Sequence, residues 1–272
     1  MKRILLLLLF GCLLASSFAQ RLKVLTWNIQ DLGRSKDASE IEAMVDIMRD
    51  YDLVLIQEVV AKDPAGAQRV AQIADELDRT GSNWDYRISD PTNSPSAYVS
   101  ERYAMLWKSS RLRLRVAPQL DTELADVCDR EPYFAAFVLQ GTSDFFYVIN
   151  FHARRFDNRP DEEIQHFAGY VDRLGSNFLI CGDFNLEESH EVWNPLKTSG
   201  MRPVLYETPT TLKRQCRGSD YFNYPIDNIF YPTRHWIMLR SGRVDFVGDC
   251  DNLEAARGIS DHLPVWAELE VR

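Results

Sequence analysis

Positions 22–29 carry five apolar residues in eight, a length too short for an amphipathic helix, and the run reads as a strand. Positions 38–48 carry their apolar side chains at helical spacing, 53–57 form a second short apolar run expected to be a buried strand, and 66–77 return to helical spacing. The texture then changes. Positions 103–108, 134–139, 145–151 and 178–181 are short β-type runs divided by turns, with 161–174 the clear helix between them. Late strands are expected at 228–231, 236–239, 244–247 and 263–269. Roughly ten or eleven strands with few helices predict an α/β (α+β) chain, a four-layer sandwich of two mainly antiparallel β-sheets flanked by helices.

The first residues follow another pattern. Lys2 and Arg3 precede an apolar stretch at 4–15, and Ser17-Phe18-Ala19 sets small residues at its end, the layout of a signal peptide with cleavage expected before Gln20. The stretch falls short of the roughly 20 apolar residues of a spanning helix. An uncleaved anchor and a lipoprotein are the alternatives; Leu9-Phe10-Gly11-Cys12 loosely follows a lipobox, although Phe10 is bulky for one. No Gly/Ser-rich or Pro-rich linker, low-complexity run or repeat interrupts residues 20–272, which are expected to form one domain, secreted or periplasmic.

Export changes the reading of charge and cysteine. The net charge of −9 becomes −11 once Lys2 and Arg3 are lost. An acidic chain makes a tight, non-specific grip on nucleic acid unfavourable and suits a transient encounter, in which bound cations and a few Arg residues make a groove locally positive. An oxidising compartment permits disulfides among Cys128, Cys181, Cys216 and Cys250. Cys181 lies inside an apolar run and is expected to pack as a small hydrophobe, leaving one disulfide among the other three. A zinc site lacks Cys-x-x-Cys or paired-His spacing.

Many of the expected strands end in a polar residue able to do chemistry: Trp27-Asn28, Gln57-Glu58, Phe151-His152, Gly182-Asp183 and Ile226-Asp227. Side chains at one end of a rigid sheet can converge on a single cleft. Hydrolysis of a phosphodiester near neutral pH needs a cation on the phosphoryl oxygens, an activated water and a donor to the leaving oxygen. The chain offers such groups in the order Asn28, Glu58, Glu101, His152, Asp183 with Asn185, Asp227, and Asp261 with His262.

The segments VLTWNI, LVLIQEV, SERYAMLW, VINFHAR, LICGDFN, PIDNIF and GISDHLPV resemble the successive motifs of the endonuclease/exonuclease/phosphatase superfamily, and of its deoxyribonuclease I-like branch in particular. A tetrapeptide such as GDFN arises by chance on the order of once per 10⁵ positions, and here several motifs occur in order. The resemblance implies a hydrolase dependent on Mg²⁺ or Mn²⁺, with Ca²⁺ as a further candidate. It implies Glu58 as principal metal ligand, Asn28 beside it at the scissile phosphate, and Asp261 ligating metal or orienting its surroundings. His152 and His262 are placed on opposite sides of the phosphate, with Glu101 and Asp227 as their respective carboxylate partners; a carboxylate fixes the tautomer and raises the basicity of a histidine. Asp183 is expected to orient water or metal and Asn185 to hydrogen-bond phosphate, the two sharing a face if the segment continues a strand.

The superfamily also holds sphingomyelinase-like lipid phosphodiesterases and inositol-phosphate phosphatases. Ser100-Glu101-Arg102-Tyr103 and Arg130-Glu131-Pro132 resemble the nuclease branch and make Arg130 the candidate phosphate contact. Gln30 and Val60 stand where that branch carries Arg, and Ile226 where it carries Tyr, which removes charge-assisted contacts and a stacking surface for duplex DNA. Thr208, Thr210 and Thr211 loosely match its Ca²⁺ region without supplying ligands. The reading is therefore an endonuclease acting on nucleic acid as a transient substrate, a monomer without stable membrane association. A lipid or sugar-phosphate esterase is the alternative.

Overall fold

The computed structural model describes residues 20–272, so the expected signal peptide and the lipobox-like segment at Cys12 lie outside the described residues. The chain opens with β1 (Arg21–Leu32), α1 (Ala38–Met48), β2 (Leu53–Val60), α2 (Ala65–Arg79), β3 (Trp84–Ile88) and β4 (Glu101–Lys108). It continues through β5 (Leu112–Leu120), β6 (Tyr133–Leu139), β7 (Phe145–His152), α3 (Asp161–Ile164), α4 (Tyr170–Leu174) and β8 (Phe178–Asp183). The last part holds α5 (Asn194–Thr198), β9 (Met201–Pro203), β10 (Leu212–Arg217), β11 (Asp220–Phe222), β12 (Asp227–Pro232), β13 (Trp236–Arg243), α6 (Leu253–Ile259) and β14 (Val265–Val271).

Two six-stranded sheets form, in the orders β13-β14-β1-β2-β4-β3 and β5-β6-β7-β8-β12-β9, with β10-β11 as a separate ribbon. Each large sheet is mixed. The pair β1/β2 in one and β7/β8 in the other are parallel, and their remaining neighbours are antiparallel. The central strands are rich in apolar residues because both of their faces are buried. Leu22 and Val24 of β1, with Leu53 and Leu55 of β2, enter the core between the sheets, where they meet Phe137, Val148 and Leu179. Leu25, Trp27, Val54 and Ile56 face the other way, onto α1 and α2. Phe151, Phe178 and Ile180 likewise face the outer layer of the second sheet, where Ile164, Phe167 and Tyr170 pack. The result is the four-layer sandwich expected from sequence.

The differences are local and have local causes. The helix expected at 161–174 is broken by a 3₁₀ stretch at Gln165–Gly169. Its buried residues Ile164, Phe167 and Tyr170 recur every third position, which suits three residues per turn better than 3.6. Residues 244–247, expected as a strand, are not one. The Asp245 carboxylate accepts from the Val247 and Gly248 amides at 3.1 and 3.3 Å, an alternative to ladder pairing. The edge strands β3 and β5 were not anticipated, although Leu112, Leu114 and Val116 of β5 alternate with Arg113 and Arg115 at the period of a half-buried strand; the exposed Arg side chains and Pro118 blunt that sheet edge. Of the cysteines, Cys216 and Cys250 form a disulfide with a Cα separation of 6.0 Å, while Cys128 and Cys181 are buried free thiols.

One polar cluster interrupts the inter-sheet core. Gln57 Nε2 donates to Asn150 Oδ1 at 2.5 Å and to Thr26 Oγ1 at 3.0 Å. Asn150 Nδ2 donates in turn to the Ile56 and Ala104 carbonyls. Such a bridge is compatible with only one register between the sheets. It lies one residue before Glu58 and two before His152, so it fixes the strand ends that carry the candidate site.

Candidate active site

Strand register builds the site. His152 ends β7 opposite Asp183, which ends the parallel β8, and Asp183 in turn faces Asp227, the first residue of the antiparallel β12. Three reactive side chains thus sit on one rung. From the other sheet, Asn28 of β1 pairs with Gln57, directly before Glu58. The carboxyl ends of parallel strands are where open sheets place ligands, and here the parallel pairs of both sheets converge there. Asp31, Glu58, Glu101, His152, Asp183 and His262 all line one cleft of about 310 Å³.

Glu58 reaches this cleft by leaving the regular pleat. Pairing of β2 with β4 is regular through Ile56 and resumes at Val59, and Glu58 sits in the irregularity with φ +60°. A bulge of this kind re-aims one side chain, and a non-glycine residue in left-handed geometry carries strain that concentrates at functional sites. The carboxylate is held on both oxygens, by Asn28 Nδ2 at 2.9 Å and by the Asp31 amide at 3.2 Å.

Asn28 Nδ2 also donates to Asp183 Oδ2 at 3.0 Å, so one amide group sits between two carboxylates. Its own carbonyl oxygen, Oδ1, is buried without a partner. The second carboxylate oxygen of Asp183 accepts from the Asn185 amide at 2.9 Å. This corrects the expected basis of the pair. The strand stops at Asp183, and Asn185, with φ +48°, reaches the cleft through a turn and not by strand alternation.

The two histidines are held alike. Nδ1 of His152 lies 2.9 Å from Glu101 Oε2, and Nδ1 of His262 lies 2.9 Å from Asp227 Oδ2. Both Nε2 atoms then point toward one atom, Asp183 Oδ2, at 3.4 and 3.7 Å. Burial alone would lower the pKa of His262, but Asp227 and Asp183 outweigh it and hold the imidazole well above its ordinary range. His152 is raised as well, by Glu101 against the effects of burial and Arg130. Glu101 is lowered despite its burial, because His152 and Arg130 favour its charge. Burial and the neighbouring Asp183 push Asp227 up to about 6, against the pull of His262.

Several supporting groups escaped the sequence reading. Thr210 Oγ1 donates to Asp227 Oδ2 at 2.7 Å and accepts from the Asp227 amide at 3.0 Å. Resemblance relates this Thr-rich stretch only to a cation region. Ser260 Oγ joins the Asn28 carbonyl to the His262 amide at 2.7 and 3.0 Å, and the Tyr103 hydroxyl accepts from the His152 amide at 3.2 Å. Nothing in a single sequence marks an ordinary core Ser, Thr or Tyr as such a support.

Two predicted residues take positions that sequence did not foresee. Arg130 lines the cleft but is only 8% exposed. Its guanidinium donates to the His152 carbonyl at 3.0 Å and to the Ala153 carbonyl, and lies 3.6 Å from Glu101, so much of its donor capacity is committed beneath His152. Asp261 stands beside the site: it does not line the cleft, and its carboxylate lies 3.5 Å from Arg257.

The donor set suits a hard divalent cation. Glu58 and Asp183 bring carboxylate oxygens to the cleft, and Asn28 bridges them through Nδ2; exchanging the places of its Nδ2 and its unpartnered Oδ1 would turn a third oxygen toward the same point. Asp183, Asp227 and His262 also bring ligand-type atoms within 4.8 Å of one another. That second grouping is already satisfied internally by the Asp227–His262 and Asp227–Thr210 hydrogen bonds, which leaves Glu58 and Asn28 the better-placed ligands.

Comparison with known proteins gives the family. The chain is 29% identical over 277 residues to a protein named Deoxyribonuclease from Thioalkalivibrio sp. (strain K90mix), covering 95% of this chain and 73% of the relative. Its fold is similar to that of an endonuclease/exonuclease/phosphatase from Bacteroides vulgatus (TM-score 0.67, 16% identity, 93% of this chain and 99% of that one). It is also similar to D. rerio TDP2 complexed with a single-strand DNA product (TM-score 0.64, 15% identity, 92% and 98%). A sequence model of the endonuclease/exonuclease/phosphatase family matches residues 25–262, almost the whole of the described fold, and the chain belongs to that family.

Proposed function

We propose that this phosphoesterase is an exported, divalent-metal-dependent endonuclease that hydrolyses DNA phosphodiester bonds. The observation that carries the reading is the meeting of two carboxylate-backed histidines on either side of Asp183, next to Glu58 and Asn28. The 29%-identical relative named Deoxyribonuclease favours DNA. The Cys216–Cys250 disulfide supports an oxidising compartment and hence export.

A cation held by Glu58 and Asn28 would neutralise charge on the phosphoryl oxygens, which the converging carboxylates would otherwise repel. The protein's own groups do the rest. Asp183 accepts a hydrogen bond from the attacking water and takes up its proton as the new P–O bond forms. The imidazolium groups of His152 and His262 donate from Nε2, one to a phosphoryl oxygen and one to the leaving oxygen as its bond to phosphorus breaks. Asn185 offers its amide to the same phosphate. Glu101 and Asp227 accept from Nδ1–H and stabilise each doubly protonated ring, whose Nε2–H is then free to donate.

The test is an activity panel with the purified protein on single- and double-stranded DNA, RNA, sphingomyelin and inositol phosphates, with Mg²⁺ or Mn²⁺ and with chelator. Cation-dependent internal cleavage of DNA is expected. Release of phosphocholine or inorganic phosphate with nucleic acid untouched would select the lipid or sugar-phosphate reading, which the presence of Gln30 and Val60 in place of Arg favours. His152→Ala should reduce turnover by at least about 10², the usual contribution of a general acid–base group.

A further inference from the structure

The geometry points to a nucleobase-stacking subsite beside the catalytic cleft, formed by Phe156 and Tyr224, which makes single-stranded DNA the preferred substrate. The inference rests on the nuclease reading and deepens it. A second cavity of about 380 Å³ opens next to the first, and Asn185 lines both. Phe156, Leu186, Tyr224 and Ile226 give it an apolar wall. Phe156 is 66% and Tyr224 54% exposed, and their rings lie 6.4 Å apart at 30°. Two large aromatic faces held open to water next to a phosphate-cleaving site are unfavourable unless something flat covers them.

Both rings are carried on backbone tied to the site. Phe156 opens a 3₁₀ turn and directly follows Arg155, which lines the catalytic cleft. Tyr224 is fixed by backbone hydrogen bonds to Thr210 and Thr211, the segment whose Thr210 holds Asp227. The wall offers polar groups at its rim, with Glu187, Ser189 and His190 exposed. An apolar platform with a polar rim, continuous with the phosphate site through Asn185, fits one occupant: an unstacked base of the nucleotide adjoining the cut. Bases of a duplex are stacked on one another and cannot present their faces to such a wall, whereas those of a single strand can.

The test compares kcat/KM of the parent protein, Phe156→Ala/Tyr224→Ala and Phe156→Trp/Tyr224→Trp on one DNA sequence. The substrates are the single strand, the duplex, and the single strand with an abasic site on either side of the cut. The alanine pair should lose roughly 10- to 100-fold on the single strand, mainly through KM, as expected of base–aromatic stacking, with little change on the duplex. The tryptophan pair should retain activity. One of the two abasic positions should reproduce the loss in the parent protein and abolish the difference between parent and alanine pair. Equal losses on single strand and duplex, or none on either, overturn the subsite while leaving the nuclease intact. If the parent protein cleaves neither form, the nuclease reading itself fails and the subsite with it.

Discussion

Each reactive side chain at this site owes its chemistry to a neighbour. Thr210 shows this most directly: its hydroxyl accepts from the Ile226 and Asp227 amides and donates to Asp227, which holds His262. Thr210→Val should lower kcat by about 10- to 100-fold, the usual effect of removing a partner behind a site residue, with Thr210→Ser retaining most activity. Steady-state kinetics of the two variants decides it; an unchanged rate in Thr210→Val, or a larger loss in Thr210→Ser than in Thr210→Val, would mean that the hydroxyl is not what matters. The reactive residues themselves were legible because the motifs carry distinctive residue types in order. Their supports were not. Glu101 and Asp227 were assigned to their histidines only through resemblance, while Thr210, Ser260 and Tyr103 have residue types that occur throughout any core.

At the level of elements, close packing of strands sets what the motifs tolerate. Gly182 has φ +148°, and a Cβ there would lie 1.8 Å from the Phe151 carbonyl oxygen on the paired strand β7. No side chain can be accommodated without separating β7 from β8, the pair that aligns His152 with Asp183. Gly182→Ala is therefore expected to destabilise the protein by at least about 2 kcal/mol and to impair activity beyond that, measured by denaturant unfolding and by assay of the folded fraction. The glycine of GDFN is thus a packing requirement as well as a family mark.

The disulfide belongs to the same scale. Cys216 of β10 is joined across 34 residues to Cys250, just before α6. The tethered unit carries site residues at both ends, since the Leu212 amide donates to the Asp261 carbonyl and the Leu263 amide to that of Thr210. Loop-closure entropy for that span gives about 3–4 kcal/mol as an upper figure. Cys216→Ser should lower Tm and reduce kcat together, whereas Cys128→Ala, at a buried free thiol that packs as a small hydrophobe, should leave kcat nearly unchanged. Melting curves in the presence and absence of reductant check the first expectation independently of mutation.

For the whole molecule, the paired buried charges govern pH dependence. His152 and His262 have native pKa values above the ordinary 6.5, so their stabilisation is complete below that pH and is lost as pH rises through the raised values. Glu101 lies below its ordinary 4.5, so its contribution is present above pH 4.5 and is lost as pH falls through the lowered value. Asp227, raised from 3.8 to about 6, acts in the opposite sense: its contribution is present below 3.8 and lost as pH rises through 6. In chelator, Tm should therefore peak at about pH 5–6.5 and decline on both sides. A Tm that stays level from pH 6 to 9 would show that the two imidazoles are not paired as described. Divalent cation should raise Tm most on the alkaline side, where the carboxylates and imidazoles no longer hold protons that compete with it. No helix among the described residues is long and apolar enough to cross a membrane.

Sequence by itself determined the layered fold, the positions of the central strands and the order of the reactive groups, because hydrophobic periodicity and motif chemistry are local properties that survive in one dimension. Only tertiary structure decided the bulge that turns Glu58 inward, the commitment of Arg130 to backbone carbonyls and the turning of Asp261 toward Arg257. It also decided the pairing of Cys216 with Cys250 and the aromatic wall of Phe156 and Tyr224. Each of these depends on which distant segments meet and in what register. That is settled by packing and hydrogen bonding across the assembled sheets, and no short stretch of sequence encodes it.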